Sequence, residues 1–275
     1  MIKINVLLEN NSINPQYKSK HGLSLFIEHC KKNILLDVGP DNNFIKNAEI
    51  NNVDLSRTDY LFLSHNHNDH TGGLNDFMKI NKTAKIYLMD NIFNKYYLKV
   101  LFVKLSIGLK FKKKNRSGII QLKDDLNIEN RIFFLGNSVS KYQKPLINNR
   151  LYKKHNGKII NDTFDHEGIL VLDDGNEQVI FNSCSHNGIL NCIDTVKAKI
   201  PNKKIRSYVG GLHIFDQIAK TREGSEYLDT IIDELKKTDI IVYTGHCTGK
   251  LALDYLKNKL GNRVHEINTG MELNV

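Results

Sequence analysis

The 275-residue chain lacks any apolar run that approaches the ~18 consecutive residues of a membrane span. Its first residues also lack the apolar core and small-residue cleavage site of a signal peptide. It has only four cysteines, Cys30, Cys184, Cys192 and Cys247, and their spacing is not that of a disulfide framework. These absences predict a globular cytoplasmic protein with reduced thiols, and they argue against a membrane protein.

Acidic residues are outnumbered by basic ones, 30 to 39, so the formal net charge is +9. Such an excess suits an acidic partner, for example RNA or a phosphorylated substrate. However, lysine and asparagine are abundant along the whole chain, which indicates a general compositional bias. The densest basic cluster, Lys110 to Arg116, is interpreted as a solvated insertion, with a phosphate or nucleic-acid contact as the alternative.

Two common catalytic motifs are also missing. Gly249-Lys250 has no upstream glycine of the kind that a phosphate-binding loop requires, which argues against an NTPase. No convincing serine, histidine and aspartate combination is present for nucleophilic catalysis. The oligomeric state cannot be read from the sequence.

Short apolar runs alternate with helix-like segments along most of the chain. Strands are predicted at residues 4–8, 23–28, 33–37, 60–64, 85–89, 131–135, 168–172, 178–182, 205–209, 240–243 and 264–267. Helices are predicted at residues 41–51, 73–80, 189–198, 225–237 and 251–260. Strands with interleaved helices in both halves predict an α/β fold: two sheets packed face to face with outer helices, in a single domain over 1–275.

Two segments are harder to interpret. The spacing of Tyr96, Tyr97, Val100, Leu101 and Leu105 suits a helix, within a lid or insertion around residues 91–117. Residues 137–165 are polar and are predicted to be mostly loop, and such a long loop is often functional.

A dense group of metal-ligand residues follows the strand predicted at 60–64. His65, His67, Asp69 and His70 lie within six residues, and Gly72-Gly73 follows. Imidazole and carboxylate are ligands of zinc, iron and manganese. The i, i+2 spacing of the first two histidines excludes a simple helix. Four such ligands on one tight loop can serve two adjacent metal ions.

Three later histidines, His186, His213 and His246, each follow the end of a predicted strand. Strand ends on one rim of a sheet can converge, so these side chains are candidates for completing the site. His186 and His246 are predicted to bind metal. His213 is predicted to act as a general acid or to contact the substrate.

The motif His65-x-His67-x-Asp69-His70 followed by two glycines resembles the signature of the metallo-β-lactamase superfamily. The resemblance implies an αββα sandwich of two mixed sheets. It also implies that the two leading histidines bind one metal ion and that the aspartate and third histidine bind the other. Asp37 would orient a ligand histidine through its second ring nitrogen.

One departure from the superfamily pattern leaves a ligand open. Many members have a bridging aspartate at the strand end where this chain has Cys184-Ser-His186. Either His186 or the thiolate of Cys184 could take that position.

Further motifs around His21, Cys184, His213 and His246 look like one branch of the superfamily. It is named for the archaeal 7,8-dihydropterin-6-methyl-4-(β-D-ribofuranosyl)aminobenzene 5′-phosphate synthase. In that reading His21 points at the site; a loop histidine without a role is the alternative.

The leading hypothesis is a metal-dependent hydrolase or a related transferase. A metal-bound hydroxide would attack a small anionic substrate, pterin-like or phosphorylated, with Asp69, His213 and Asp37 in catalytic roles. The cofactors would be two divalent ions, zinc foremost and manganese or iron otherwise. One alternative is an RNA or phosphodiester nuclease that uses the basic segment at 110–116. The other is a metal sensor or redox partner without catalysis.

Overall fold

The computed structural model describes residues 2–110, 118–137, 139–216 and 219–275. Its strands in chain order are β1 (Lys3–Leu8), β2 (Ser24–His29), β3 (Lys32–Leu36), β4 (Tyr60–Leu63), β5 (Lys85–Met89), β6 (Tyr96–Val100), β7 (Val103–Ser106), β8 (Ile119–Leu122), β9 (Leu126–Ile128), β10 (Ile132–Gly136), β11 (Leu151–His155), β12 (Lys158–Asn161), β13 (Gly168–Asp173), β14 (Glu177–Phe181), β15 (Lys204–Val209), β16 (Phe215–Asp216), β17 (Thr221–Arg222), β18 (Ile241–Thr244), β19 (Val264–Glu266) and β20 (Glu272–Asn274). Its α-helices are α1 (Asn43–Ile50), α2 (Asn68–Thr71), α3 (Leu74–Ile80), α4 (Ile189–Lys199), α5 (Ser225–Lys236) and α6 (Lys250–Leu260).

Two seven-stranded sheets make up the frame. The first has the order β20-β1-β2-β3-β4-β5-β8, and the second has the order β19-β18-β15-β14-β13-β10-β9. Neighbours from β3 through β4 and β5 to β8 are parallel, and β1, β2 and β20 pair antiparallel. In the second sheet β14, β15, β18 and β19 are parallel, and β9, β10 and β13 join antiparallel. Both sheets are therefore mixed.

The inner faces of the two sheets form one apolar core. Phe62 on β4 meets Phe134 on β10 with ring centroids 5.1 Å apart. Ile4 and Val6, two positions apart on β1, also point inward, as the alternation of side chains along a strand requires. The sheets therefore pack face to face.

The outer face of each sheet is covered by helices. On the first sheet, Phe44 of α1 and Phe77 of α3 pack with buried leucines of β3, β4 and β5. On the second sheet, α4, α5 and α6 contribute Ile193, Leu228 and Leu253 to a separate apolar cluster. The predicted αββα sandwich is confirmed.

The helix predicted between Tyr96 and Leu105 is wrong. Residues there form the antiparallel hairpin of β6 and β7. A helix would bury one stripe of the apolar side chains, but Leu101 and Phe102 lie at the hairpin tip and are 81% and 100% exposed. Aromatic and β-branched residues favour strands, and β11 supplies partners for the β6 backbone.

The loop predicted at 137–165 is also wrong in part, because β11 and β12 form a second hairpin. Asn156 and Gly157 at its tip both have positive φ, 47° and 80°, as a two-residue hairpin turn requires. The two hairpins combine into a small sheet of order β12-β11-β6-β7. Most of the basic cluster predicted at 110–116 lies outside the described residues, and the lid role of this region stays a prediction.

The carboxyl ends of the parallel strands determine where the site is. Asp37 follows β3 and His65 follows β4 in the first sheet. His186, His213 and His246 follow β14, β15 and β18 in the second sheet. Since crevices at such strand ends are the usual ligand sites of parallel sheets, all the predicted site residues meet at one rim. Within the described residues, no helix is long and apolar enough to cross a bilayer.

Candidate metal centre

The loop after β4 turns sharply to present ligands in two directions. His67 is the N-cap of α2, so Asp69 and His70 lie in its first turn. Gly72 and Gly73 then pass close to the loop after β3. A Cβ on Gly72 would lie 2.2 Å from the Pro40 carbonyl oxygen, so only glycine permits this approach.

Three buried imidazoles form a first ligand group. His65 Nε2 lies 3.1 Å from His67 Nδ1 and 3.3 Å from His186 Nε2. Nitrogen atoms bound to one tetrahedral zinc at 2.0–2.1 Å would be about 3.3 Å apart. The donor set and its spacing therefore fit a single metal ion.

Asp69, His70 and His246 form a second group. His70 Nε2 lies 3.4 Å from Asp69 Oδ2 and 3.1 Å from His246 Nε2, and the latter two atoms are 3.3 Å apart. The triangle has the dimensions of the first group, with one carboxylate in place of an imidazole. The two groups are joined through the loop that carries His65 and His70.

The Cys184 sulfur, and not His186, lies between the two groups. Its Sγ is 3.2 Å from His70 Nε2, and the ligand atoms of Cys184, His65 and His70 all lie within 4.8 Å of one another. Cys247 Sγ is 3.3 Å from Cys184 Sγ.

His213 and His21 both face the cavity beside these groups. The His213 ring lies 4.1 Å from that of His186, and its two buried ring nitrogens have no hydrogen-bond partner among the described residues. His21 is half-exposed, and its Nε2 lies 3.3 Å from Asp69 Oδ2. His213 is thus free to contact a bound molecule, and His21 lies at the outer edge of the second group.

Asp37 is fully buried and contacts the metal loop, residues 64–70 after β4, on the side away from the cavity. It accepts hydrogen bonds from the Ser64 backbone N–H at 2.8 Å and the Ser64 hydroxyl at 2.6 Å, and His70 Nδ1 lies 2.8 Å away. With Nδ1 engaged, Nε2 of His70 faces Asp69, His246 and Cys184. Burial lowers the pKa of His70, but the carboxylates of Asp69 and Asp37 outweigh it and raise the pKa to about 10.

The first group has the opposite electrostatics. Burial lowers the pKa of His67 to about 3. Burial also lowers the pKa values of His65 and His186 well below the ordinary range. These imidazoles are therefore neutral at pH 7, which is the form that binds metal.

Two buried glutamates that the sequence analysis missed hold the later ligand loops. Glu167 accepts the backbone N–H groups of His186 and Asn187 at 2.7 and 3.0 Å. Glu9 accepts the backbone N–H of His246. Burial raises the pKa of both carboxyls. The only signal for Glu9 was an acid directly after a buried strand, and Glu167 had none.

Polar side chains from distant segments also meet the ligand loops. Asn148 Oδ1 lies 3.0 Å from His186 Nδ1, and Asn10 Oδ1 lies 3.2 Å from His246 Nδ1. His166 accepts the Asn66 backbone N–H at 3.0 Å. None of these residues belongs to a recognisable sequence motif, so they could not be identified from the sequence.

A cavity of about 370 Å³ opens above the ligand groups. One wall is apolar, and two cationic side chains lie at its edge. The apolar residues are Leu98, Ile107, Ile147, Leu151 and Phe215, and the cations are Lys110 and Arg150. Arg150 Nε is 3.3 Å from Asp216 Oδ2.

Comparison with known proteins identifies the family. The family model of the metallo-beta-lactamase superfamily matches residues 20–146, which include the metal loop. The 7,8-dihydropterin-6-methyl-4-(β-D-ribofuranosyl)-aminobenzene-5′-phosphate synthase of Methanocaldococcus jannaschii is 33% identical over 267 residues, covering 90% of this chain and 88% of the relative. An uncharacterized protein of the same organism is 26% identical over 271 residues, covering 96% of each chain.

Among solved structures, Tm1679, described as a metal-dependent hydrolase of the beta-lactamase superfamily, aligns with a TM-score of 0.84 at 24% identity. The alignment covers 100% of this chain and 99% of that one. With the sequence identity to the synthase, the fold and the matched motif, the conclusion is that this chain belongs to the metallo-β-lactamase superfamily.

Proposed function

We propose that this protein is an enzyme that binds two divalent metal ions, zinc foremost, and catalyses group transfer or hydrolysis on a small phosphorylated, pterin-like substrate. One observation carries the proposal. Six ligand atoms from the metal loop and two distant strand ends form two groups, each spaced for one ion, at the base of one cavity.

When bound, divalent ions of this kind lower the pKa of water and polarise a carbonyl or phosphoryl oxygen. The protein holds the ligand side chains in fixed positions. Asp37 keeps His70 Nε2 facing the second ligand group, and Glu167 and Glu9 fix the backbones that carry His186 and His246. Such support normally governs metal affinity.

His213 would act as the general acid that donates a proton to the substrate. Its ring touches that of His186, and its nitrogens are free to donate to a leaving group or a developing negative charge. A side chain positioned for proton transfer typically contributes about 10²–10⁴-fold to the rate.

The cavity supports the substrate class. An apolar wall suits a flat ring system, and Lys110 and Arg150 suit a phosphate. The 33%-identical relative is named for a compound with pterin, aminobenzene and ribose-phosphate parts. That name is a synthase name, so it supports group transfer over hydrolysis.

The test combines metal analysis with a substrate panel. We expect two equivalents of metal in purified protein and turnover of pterin-bearing phosphates offered with an arylamine acceptor. His67→Ala should lower the rate by at least about 100-fold, since outer-shell partners alone are worth 10–100-fold. His155→Ala is the matched control, because His155 is exposed on the hairpin of β11 and β12.

Two outcomes would contradict the proposal. Full activity in His67→Ala would remove the metal mechanism. Cleavage of RNA or of simple phosphodiesters, with no activity on pterin phosphates, would replace the substrate class by the nuclease alternative.

A further inference from the structure

Cys184 is placed where both ligand groups can reach it. It follows β14 by three residues, and its side chain is buried at 2% exposure. Its sulfur lies 3.2 Å from His70 Nε2, a member of the second group. It also lies within 4.8 Å of the ligand atom of His65, a member of the first group. His65 and His70 are themselves neighbours, with ring centroids 4.2 Å apart, so Cys184 lies where the two groups meet.

The distance of 3.2 Å between Cys184 Sγ and His70 Nε2 fits two ligands of one metal ion. With a zinc–sulfur distance of ~2.3 Å and a zinc–nitrogen distance of ~2.0–2.1 Å, bond angles of about 95–110° put sulfur and nitrogen roughly 3.2–3.6 Å apart. The alternative is a plain hydrogen bond from the thiol to the imidazole, which has the same length and needs no metal.

The neighbouring thiol supports a ligand role. Cys247 Sγ is placed to donate to the Cys184 sulfur at 3.3 Å. The Cys247 sulfur itself accepts the backbone N–H of His213 at 3.2 Å. A hydrogen bond donated to a ligand sulfur supports it as a ligand, so the contact fits Cys184 as the metal-binding sulfur and Cys247 as its hydrogen-bond donor.

We propose that Cys184 binds as a thiolate between the two metal ions and makes the centre selective for zinc, cobalt and iron over manganese and magnesium. The proposal rests on the proposed function, because it requires metal in both groups. Its physical basis is that soft thiolate ligands favour zinc, whereas manganese and magnesium favour oxygen ligands.

Cobalt(II) substitution tests the inference without an activity measurement. Wild-type protein loaded with cobalt should show a near-ultraviolet thiolate-to-metal charge-transfer band. Cys184→Ser should lose that band. Cys184→Asp should also lose it, but should keep two equivalents of metal, because a carboxylate can still bridge. The ratio of zinc to manganese affinity should fall at least about tenfold in Cys184→Asp.

Two further variants complete the set. Cys247→Ser should keep the band, and Cys30→Ser, which removes an exposed cysteine, should match wild type. A band that survives in Cys184→Ser, or one that disappears in Cys247→Ser alone, would overturn the assignment. A wild type that binds two cobalt ions without any such band overturns it while leaving the proposed function standing. A wild type that binds no metal removes both.

Discussion

Each ligand histidine outside position 67 has a second contact that fixes which ring nitrogen faces the other ligands. These Nδ1 contacts are His65 with Ser64, His70 with Asp37, His186 with Asn148 and His246 with Asn10. In each case Nε2 is left for the centre. A neutral imidazole has one donor and one acceptor nitrogen, so this arrangement determines the tautomer as well as the ring orientation.

Replacing Asp37 tests the importance of that support. We expect Asp37→Asn to weaken metal binding at the second group by about 10–100-fold, because His70 loses its carboxylate partner. Chelator competition at pH 7.5 measures the affinity. Asp54→Asn is the control, since Asp54 only caps an exposed turn. Equal affinities for Asp37→Asn and the control would show that His70 needs no fixed orientation.

The raised pKa of His70 gives a second prediction at this scale. In metal-free protein a pKa of about 10 keeps His70 protonated at pH 7.5, whereas His67, with a pKa of about 3, is already neutral. Metal binding must therefore displace the His70 proton, and affinity should rise with pH until about pH 10.

Calorimetry in buffers of different ionisation enthalpy counts these protons. We expect one from His70 and one more from the Cys184 thiol. Cys184→Ser should release one proton fewer than wild type. Release of no proton at all would show that His70 is neutral before metal binds.

At the scale of elements, the metal loop also anchors the small sheet of β12, β11, β6 and β7. The Asn66 side-chain amide donates to the carbonyl oxygens of Ile92 and Asn94 before β6, and its oxygen accepts the Leu109 N–H after β7. The Asn68 backbone N–H donates to the carbonyl oxygen of Ile107 at 2.7 Å. One residue between two ligands thus holds both ends of the hairpin.

Asn66→Ala should release this hairpin. Loss of three hydrogen bonds, one buried and two partly buried, should cost about 2–4 kcal/mol, with the unpaired backbone groups included. Hydrogen exchange should accelerate in peptides that cover residues 92–109. Asn127→Ala, at an exposed position of β9 in the second sheet, should leave those peptides unchanged. Unchanged exchange in Asn66→Ala would mean that strand pairing alone holds the hairpin.

Most elements could be predicted from local patterns, and the failures have a common cause. The strand at 60–64 was predictable because it is a short apolar run that is buried throughout, and the helix at 225–237 was predictable because burial follows its helical periodicity. The hairpin at 96–106 was not, since its apolar side chains are largely exposed and its pairing partner lies more than 40 residues away. For the neighbouring hairpin of β11 and β12, the sequence signal was the Asn156-Gly157 turn.

The residues of the candidate site also fall into those that could be predicted from the sequence and those that could not. The metal loop was predictable because His65, His67, Asp69 and His70 are adjacent in sequence. Their supports were not, because Glu9, Asn148 and Glu167 reach the ligand loops from segments whose approach only the tertiary fold determines.

For the whole molecule, the important feature is that each sheet supplies part of the centre. The loop after β4 of the first sheet carries His65 and His70, and strand ends of the second sheet carry His186 and His246. Both ligand groups exist only while the sheets are packed together. Metal that binds only the folded form therefore stabilises the entire sandwich. The gain in the free energy of unfolding is about 2.7 kcal/mol when the free metal concentration is 100 times the dissociation constant.

This arrangement predicts how the stability of metal-free protein depends on pH. His65, His67 and His186 have folded pKa values below the ordinary value of 6.5, so the unfolded chain binds more protons below that pH. Stability should therefore fall as pH drops from 6.5 to 5, by roughly 1.4 kcal/mol per pH unit for each histidine. The raised pKa of His70 acts in the opposite range: its contribution is complete below pH 6.5 and is lost as pH rises toward 10.

Urea unfolding at pH 7, 6 and 5, with chelator present, measures this dependence. His67→Ala should reduce its slope by less than a third, because His21 and His29 also have lowered pKa values and contribute to it. His155→Ala should keep the wild-type slope, since His155 is exposed. Saturating zinc should raise stability most at pH 7 and progressively less toward pH 5, where protons compete for the ligands. A metal-free stability that stays constant from pH 7 to 5 would mean that these imidazoles are not held neutral by burial, and the electrostatic account of the first ligand group would fail with it.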